Sequence, residues 1–538
     1  MKINPSEKWP NLKPTTVKNQ IASEKKLITK AAGIVGFWTS VSRISGFVRD
    51  MIIAIFLGAG AGADAFFVAF RIPNLLRRLF AEGALSAAFV PTFIDTMHQK
   101  GREEGVRLAR IAVTFAALVL LMVTFVGIVF TPQVVRVTAP GFFSDQEKFG
   151  LTVELTRIMF PYIFFISLVA LVSGVLNSLG RFAAPAAAPI LLNLSMIGGV
   201  LFLTRWMDWT PYHSLSWAVA AAGVFQLCLQ IPFLVSEGIT LRPDFHFGYP
   251  PLKRMGRLFV PAAIGGAVYQ INVLVGTVLA STLPSGSVSW LYYADRLVQL
   301  PLGVFAIALG SAALPSMSRL ASTGDYRGLG ESVSFSLRLI AFFTIPASVA
   351  LIVLRGPIIG VLFQHGRFTQ LDTAETAYAL LWYTAGLWAF SGLKVVTQAF
   401  FSLKDTKTPL WVSLGAVIMN LAAGLMLMNP MRHGGLALAT TVAAAFNFMV
   451  LFVILIKRIK WFEVSKFLVS IGKICAASII MGAFLFLIKD FGLWAHGLTW
   501  KNLLILSTSI FAGMAVFGFS AYLFRCEQIK SIRSVLKI

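Results

Sequence analysis

Long apolar runs alternate with short polar stretches along almost the whole chain. About fourteen runs are centred near residues 43, 78, 117, 165, 194, 225, 267, 303, 341, 388, 419, 445, 477 and 511. Each spans roughly 20–30 residues, which matches a helix with a 1.5 Å rise per residue crossing a hydrocarbon core about 30 Å thick. The pattern predicts an all-α polytopic membrane protein with about 14 transmembrane helices.

The basic residues between the runs predict the orientation of these helices. With the N-terminus inside, about 30 Lys and Arg fall in cytoplasmic segments and about 8 in external ones, as the positive-inside rule requires. The inner loops then include residues 98–110, 242–257 and 457–466. Both termini are therefore predicted to be cytoplasmic.

The chain contains an internal repeat with an offset of about 224 residues. SAAFVP at 86–91 lies opposite SAALP at 311–315, and SLGRFAAP at 178–185 lies opposite SLKDTKTP at 402–409. An offset of six spans preserves orientation, so the repeats should be parallel and related by an axis along the membrane normal. This predicts two six-helix lobes around a central cavity, followed by two further helices.

The repeat divides the chain into five predicted segments. They are a cytoplasmic arm at 1–28, a first lobe of six spans at 29–240, a second lobe of six spans at 250–460, two extra helices at 465–524 and a cytoplasmic tail at 525–538. The arm is polar and basic, has no signal-peptide core, and is expected to be disordered.

The first two spans, residues 37–93, carry charges that a lipid-facing helix would exclude. The charged residues are Arg43, Arg49, Asp50, Asp64, Arg71, Arg77, Arg78 and Glu82. Each costs roughly 2.5–3.5 kcal/mol at the centre of a spanning helix. They are expected to line a wet or protein-walled cavity, where such groups usually mark a substrate path.

The charges on these spans have helical spacing. Asp64, Arg71 and Arg78 recur every seven residues along the second span, and Asn74 and Glu82 fall on the same stripe. On the first span Arg43 and Asp50 are also seven residues apart. Arg49 lies roughly 120° round from Arg43 on an ideal helix, so a bend or a wide cavity is needed for both to face one site.

The eighth span adds Asp295 and Arg296, which are adjacent and therefore point about 100° apart. Arg296 is expected to face the cavity while Asp295 holds a neighbouring basic group. Six arginines against four carboxylates give these spans a net charge of +2. Arginine's planar fork suits phosphate or carboxylate oxygens, so the cavity is predicted to bind an anion of diphosphate size.

Several of these residues also have structural interpretations. Arg77 could pair or snorkel instead of binding cargo. Asp64 could cap the N-terminus of its own span. Asp50 and Glu82 are expected to position arginines, and Arg77, Asn74 and Asp295 are assigned supporting positions in the cavity.

Polar residues elsewhere in the spans give weaker signals. Lys394 and Arg157 are expected to be interfacial anchors near span edges. Asn272, Asn420, Thr440 and Thr441 could form a cation site, but hydrogen bonding between helices is favoured because no carboxylate accompanies them.

Composition excludes several other classes of protein. The chain has 538 residues, is 57% hydrophobic and 13% charged, and has a mean hydropathy of +0.78. Its net charge of +23 is placed in short loops between spans, so nucleic acid is not an expected partner. The three cysteines and six histidines are scattered, so neither a disulfide framework nor a metal site is predicted.

Three segments resemble the signature sequences of the MurJ/MviN lipid II flippases. They are SRISGFVRD at 42–50, GADAFFVAFRIPNLLRRLFAEGALSAAFVP at 62–91 and YYADRLVQLPLGVF at 292–305. The family belongs to the multidrug/oligosaccharidyl-lipid/polysaccharide exporter superfamily. The resemblance covers essentially the whole chain, including the fourteen-span plan with two extra helices.

The resemblance implies translocation of lipid II across the bacterial inner membrane by alternating access, for cell wall synthesis. It places the diphosphate-binding arginines at Arg43, Arg49, Arg78 and Arg296, supported by Asp50, Asp64 and Glu82. It also implies that the last two spans hold the undecaprenyl tail. Expected partners are lipid II, membrane lipids and other cell wall synthesis proteins. No cofactor is expected, and coupling to the membrane potential or to a monovalent cation is the expected energy source.

Three other functions are alternatives to lipid II translocation. A cation-coupled multidrug exporter would call for acidic or aromatic cavities, against the arginine excess. A flippase for another polyprenyl-diphosphate oligosaccharide would present the same charged group. A membrane enzyme acting on polyprenyl phosphates would need an acid, base, nucleophile or metal set, for which only Asp50 and Asp64 are candidates.

Overall fold

The computed structural model describes residues 14–78, 85–240, 242–492 and 494–529, and every regular element in these ranges is helical. The first lobe contains α1 (Pro14–Leu57), α2 (Ala61–Arg77), α3 (Ser86–Lys100), α4 (Arg102–Val129), α5 (Thr131–Thr138), α6 (Gln146–Met159), α7 (Pro161–Ser178), α8 (Ala183–Gly198), α9 (Thr204–Trp206) and α10 (Pro211–Ser236).

The second lobe and the final helices complete the fold. The second lobe contains α11 (Pro250–Ser281), α12 (Ser287–Pro301), α13 (Ile307–Ser322), α14 (Tyr326–Val353), α15 (Arg355–Phe363), α16 (Gln370–Ala385), α17 (Leu387–Ser402) and α18 (Lys407–Ile459). The chain then continues through α19 (Val464–Ile488) and α20 (Trp500–Leu523). α19 packs along α14, and α20 packs on α19, so both extra helices associate with the second lobe.

The predicted repeat is present in the helix boundaries. α4 ends at Val129 and α14 at Val353, which is 224 residues later. The same offset relates the ends of α7 and α17, and the starts of α8 and α18. The two lobes therefore repeat one helical plan in the same chain direction.

The turn that follows α7 and α17 repeats in atomic detail. The N–H of Arg181 donates to the carbonyl of Leu176 at 2.8 Å, and the N–H of Asp405 donates to the carbonyl of Phe400 at 3.0 Å. The turn needs a left-handed residue, which is Gly180 (φ 78°) in one lobe and Lys404 (φ 57°) in the other. The shared turn explains why Pro185 and Pro409 were aligned by the sequence repeat.

By length and apolar composition, nine helices in the described ranges could cross a membrane, or ten if the bent pair α16 and α17 is one span. α18 has 53 residues and breaks at Arg432, so it is long enough to cross twice. The remaining predicted spans are the first, second and eighth, which are the ones that carry charges and helix breaks. The count of fourteen stays a prediction.

Near both chain ends, the described residues belong to the folded protein and are not free tails. α1 begins at Pro14, so the expectation of a wholly disordered arm at 1–28 is wrong for its second half, while residues 1–13 lie outside the described ranges. Near the other end, Glu527 pairs with Arg338 of α14 at 2.5 Å. Gln528 is buried and donates to Ser470 of α19 at 3.0 Å, so the start of the predicted tail is docked.

The carboxylate of Asp405 fixes the turn between α17 and α18. It accepts the backbone N–H of Thr408 at 3.0 Å and the Thr408 hydroxyl at 2.7 Å, and it pairs with Arg458 at 2.5 Å. The Thr408 N–H, followed by the hydroxyl and the Arg458 guanidinium, lowers the pKa of Asp405 to about 2. The ionised carboxylate therefore stabilises the folded turn.

We predict that Asp405→Asn lowers the thermal unfolding midpoint at pH 7, because the neutral amide loses the ion pair with Arg458, which is worth about 0.2–1 kcal/mol for a partly exposed pair. A depressed pKa stabilises the fold above the unfolded value of about 4, and this stabilisation is lost as the pH falls toward about 2. The difference between wild type and variant should therefore shrink between these two pH values. Tryptophan fluorescence melts measure it, with the exposed Asp490→Asn as the control; an equal difference at all pH values would contradict the assignment.

Candidate functional site

A large cavity lies between the two lobes. Its volume is about 1920 Å³, well above the 300–1,000 Å³ typical of a small-molecule pocket. The first lobe contributes residues of α1, α2, α7 and α8 to its wall, and the second lobe contributes residues of α11, α12, α17 and α18. The repeat predicted a central cavity, and the structure places it at the junction of the repeats.

Basic side chains dominate the charged part of the cavity wall. Among the described residues, the basic ones that line the cavity are Arg43, Arg49, Arg71, Arg77, Arg78, Arg296 and Lys394, and the acidic ones are Asp50 and Asp295. The described part of the wall has five more positive than negative groups. It therefore attracts anions.

Arg49 and Asp50 form a buried ion pair at the cavity surface. The Arg49 Nη2 and Nε atoms donate to Asp50 Oδ1 at 2.7 and 3.0 Å, and Nη1 donates to Asn193 of α8 at 2.9 Å. Asn193 in turn donates to the carbonyl of Ser42 and to the Ser45 hydroxyl. Both charged groups are almost fully buried, at 8% and 2% exposure, so the guanidinium is held in one orientation.

Asp50 also meets the second lobe. The Tyr292 hydroxyl donates to Asp50 Oδ1 at 3.2 Å, and Arg296 Nε lies 3.9 Å from Asp50 Oδ2. The Arg296 guanidinium stands 4.7 Å from the centre of the Tyr292 ring and donates to Gln299 at 3.3 Å. Gln299 also donates to Asp295, so this carboxylate holds a neighbouring amide.

Arg43 reaches across the cavity from α1. A Cβ added at Gly303, in the π-helical turn Leu302–Ala306 that follows α12, would collide with the Arg43 guanidinium. Arg43 is exposed to the cavity and makes no hydrogen bond or ion pair with any residue that the structure describes. Its charge is therefore available to a ligand.

The basic side chains on α2 and just after it differ in how many hydrogen bonds hold them in place. Arg71 donates to Thr277 of α11 at 2.6 Å, and Arg77 donates to Asn74 at 3.2 Å. Asn74 thus holds Arg77 and is absent from the cavity wall. Arg78 is exposed on the wall with no partner among the described residues. Glu82, the remaining predicted member, lies outside the described residues.

Asp64 is placed differently from the prediction. It is 1% exposed, lies outside the cavity wall, and is ion-paired with Lys148 of α6 at 2.8 Å. It does not cap its own helix; it accepts the N–H groups of Gly286 and Ser289 at 2.8 and 2.9 Å, and also the Ser289 hydroxyl. Asp64 therefore caps α12 of the opposite lobe and joins the two lobes at one end of the cavity.

Other contacts reinforce the same end. Gly286 adopts φ 98°, which lets its N–H point at Asp64, and the Tyr293 hydroxyl donates to the carbonyl of Gly58 at 3.0 Å. The N–H of Arg367 donates to the carbonyl of Ile55 at 2.9 Å. These bonds link the end of α1 and the start of α2 to the second lobe, so the cavity is closed where those helices meet.

Sequence reasoning missed one cavity residue, Lys394, which was expected to be an interfacial anchor but lines the cavity. Arg71 also lines the cavity, where its charge was expected, although it was not assigned a binding role. Arg157 is exposed and lies outside the cavity wall. Asn420 donates to Asn272 at 2.9 Å, which is the predicted hydrogen bond between helices. The signal that could have found Lys394 is the repeat, because it places this residue opposite Ala170, within the span and not at its edge.

The fold and cavity define the class of protein, a two-lobed polytopic membrane transporter. A solved structure described as an inward-facing multidrug resistance MATE family transporter of the MOP superfamily shares this fold, with a TM-score of 0.66 and 15% identity over 78% of this chain and 94% of that one.

Similarity to known proteins identifies one family within this class. The sequence model for "Lipid II flippase MurJ" matches residues 53–505, and the chain belongs to this family. It is 38% identical over 442 residues to the probable lipid II flippase MurJ of Vibrio cholerae, covering 80% of this chain and 83% of that protein. A solved lipid II flippase MurJ in an inward closed conformation matches with a TM-score of 0.76 and 27% identity, covering 92% of this chain and 99% of that one.

We predict that Asp64→Ala destabilises the protein and loosens the closed end of the cavity. Removing one partner of a buried ion pair costs about 3–5 kcal/mol, because the remaining charge is left without compensation. A melt should show the loss, and Val288→Cys beside this contact should become reactive to an impermeant maleimide in a background without the native cysteines.

The double variant Asp64→Ala/Lys148→Met is the matched test. It removes the uncompensated charge and should recover part of the melting temperature, while the lobe contact stays weakened and Val288→Cys stays reactive. A protected thiol in both variants would show that Asp64 does not hold the lobes together.

Proposed function

We propose that this protein translocates lipid II, the undecaprenyl-diphosphate-linked peptidoglycan precursor, from the inner to the outer leaflet of the bacterial inner membrane, for cell wall synthesis. The observation that carries the proposal is the excess of basic over acidic side chains in a cavity of about 1920 Å³ between two lobes. A cavity of this size accommodates a sugar–peptide headgroup, and guanidinium groups suit its diphosphate. Membership of the MurJ family supports the same cargo.

The basic residues divide into two groups by their partners. Arg49 and Arg296 are oriented around Asp50, so they present fixed guanidinium edges. Arg43 and Arg78 are exposed on the cavity wall and have no partner among the described residues. We propose that these four arginines bind the diphosphate and that Asp50 positions the first two.

Alternating access would proceed by rocking of the two lobes. The end closed by Asp64 must separate when the cavity opens on that side, because its bonds join α2 to α12. The predicted orientation places the chain termini in the cytoplasm and makes the closed end external. The present structure is then the state that receives cargo from the inside.

The lipid tail must remain in hydrocarbon during this movement. α19 and α20 present large exposed apolar side chains, including Leu487 and Phe511 at 75% and 70% exposure. We propose that these two helices form the groove for the undecaprenyl chain, as the resemblance implied.

The membrane potential is the energy source we favour. Moving one charge across 100 mV is worth about 2.3 kcal/mol, so an inside-negative potential drives an anionic cargo outward. It also draws the emptied, positively charged cavity back toward the inside. A monovalent cation is the alternative, although the amide oxygen of Asn272 already accepts from Asn420.

We predict that Arg43→Ala and Arg78→Ala each lower lipid II translocation about 10- to 100-fold, the range expected for loss of one charge-assisted hydrogen bond. Labelled lipid II in proteoliposomes measures the rate. Arg327→Ala is the matched control, because Arg327 is an exposed arginine outside the cavity that pairs with Glu331. Gly303→Ala keeps every charge but should also slow transport, since its Cβ displaces the Arg43 guanidinium.

Two results would separate the parts of this proposal. No lipid II movement by the wild-type protein would contradict the function itself. Normal movement by the wild type and by both arginine variants would contradict the assignment of the diphosphate ligands. Product analysis distinguishes an enzyme, which would change the lipid covalently.

We predict that dissipating an inside-negative potential with valinomycin and matched potassium slows translocation in the same vesicles. The expected loss grows with the imposed voltage, because each translocated charge couples to it. Exchange of sodium for choline at constant voltage is the control. An unchanged rate without the potential, together with a fall on sodium removal, would replace the potential by a cation as the driving force.

A further inference from the structure

Lys394 places a positive charge deep in the wall of the second lobe. It lies on α17, eight residues before the helix ends at Ser402, which is about 12 Å along the helix axis. Its side chain is exposed to the cavity. It therefore lies within the span, and the cavity supplies the water that a charge at this depth requires.

Lys394 is unpaired within the part of the chain that the structure describes. Lys394 makes no hydrogen bond or ion pair within the described part of the chain, and the two acidic groups of the wall are engaged elsewhere. Asp50 accepts from Arg49, and Asp295 accepts from Gln299. A charge retained at this depth without a structural partner is expected to serve a ligand.

The surroundings of Lys394 differ from those of the arginines. Neutral hydrogen-bonding groups line the same lobe, including Thr397, Ser413, Thr440 and Asn447. Asn447 donates to Ser413 at 3.3 Å, while its own amide oxygen has no partner among the described residues. Amide and hydroxyl groups of this kind match the peptide bonds of a headgroup better than they match a phosphate.

The base of the Lys394 side chain is packed against the neighbouring helix, while the side chain is exposed to the cavity. α13 packs closely at this point, because a Cβ added at Gly310 would lie 3.8 Å from Lys394 Cβ. The stem is thus held at its base, while the ammonium group points into the cavity. A compact, rotatable ammonium suits a single carboxylate on a flexible chain, whereas the guanidinium forks suit the diphosphate.

We propose that Lys394 forms a second anion subsite, which binds a carboxylate of the cargo's peptide while the arginines bind its diphosphate. This inference rests on the proposed function, since it assigns part of the same cargo to the second lobe. Binding at two separated points would orient the headgroup across the cavity and would favour cargo that carries an acidic peptide.

Binding measurements in nanodiscs test the subsite with three ligands. They are lipid II with free peptide carboxylates, the same lipid with those carboxylates amidated, and undecaprenyl diphosphate without a headgroup. Lys394→Gln should weaken binding of the free-carboxylate lipid about tenfold, the scale of one charge-assisted hydrogen bond, and should leave the other two ligands unchanged. Lys394→Arg, which keeps the charge, is the matched control and should retain most of the affinity.

The alternative outcomes overturn the proposal in distinguishable ways. Equal weakening of all three ligands would place Lys394 on the diphosphate or show a damaged fold, and unchanged binding of all three would show that it contacts no cargo. If the wild-type protein binds lipid II normally, either result overturns only the proposed Lys394 subsite. Failure of the wild-type protein to bind lipid II would overturn the proposed function together with it.

Discussion

A charged side chain inside the hydrocarbon of a membrane must find a partner or water, and this constraint organises the whole protein. α1, α2 and α12 carry charges that would cost several kcal/mol each against lipid, so these helices must turn toward the junction of the lobes. Asp50 shows the solution, because one carboxylate meets Arg49 from the first lobe and Tyr292 and Arg296 from the second. The cavity exists where these charges can be hydrated.

Two buried carboxylates perform different tasks at this junction. Asp50 lies on the cavity wall and orients basic groups toward the space that cargo would occupy. Asp64 lies beyond the wall, pairs with Lys148 and caps α12 of the other lobe. Under the proposed function, the first contact orients basic groups for binding, and the second must break when the closed end opens. Because Asp50 and Asp64 both contact α12, movement of the lobes would change both contacts.

The sequence predicted the features that depend on periodicity and on the hydrophobic effect. The all-α architecture, the 224-residue repeat and the convergence of Arg43, Arg49 and Arg296 on one cavity follow from apolar run length, helical spacing and the cost of buried charge. The partners of Asp64 could not be predicted, because contacts between α2 and α12 depend on how the lobes meet. The close contact that a Cβ at Gly303 would make could not be predicted for the same reason. Lys394 was predicted to lie at the edge of its span, because local hydropathy does not show how deep in the membrane a residue of a bent helix pair lies.

The repeat copies the scaffold without copying the charge. The 224-residue offset places Ala267 opposite Arg43, Val273 opposite Arg49 and Ala170 opposite Lys394. Parallel repeats hold such positions at equal depth, so these three basic groups lie opposite uncharged residues, whereas Arg71 lies opposite Asp295, and the charges are distributed unequally. Under the proposed function, equal frameworks would let the lobes rock as matched bodies, while unequal charges would give the cargo a defined orientation between them. A diphosphate held by α1, α2 and α12 would then leave the wall of α17 and α18 for the rest of the headgroup, and that wall contains amides, hydroxyls and one lysine.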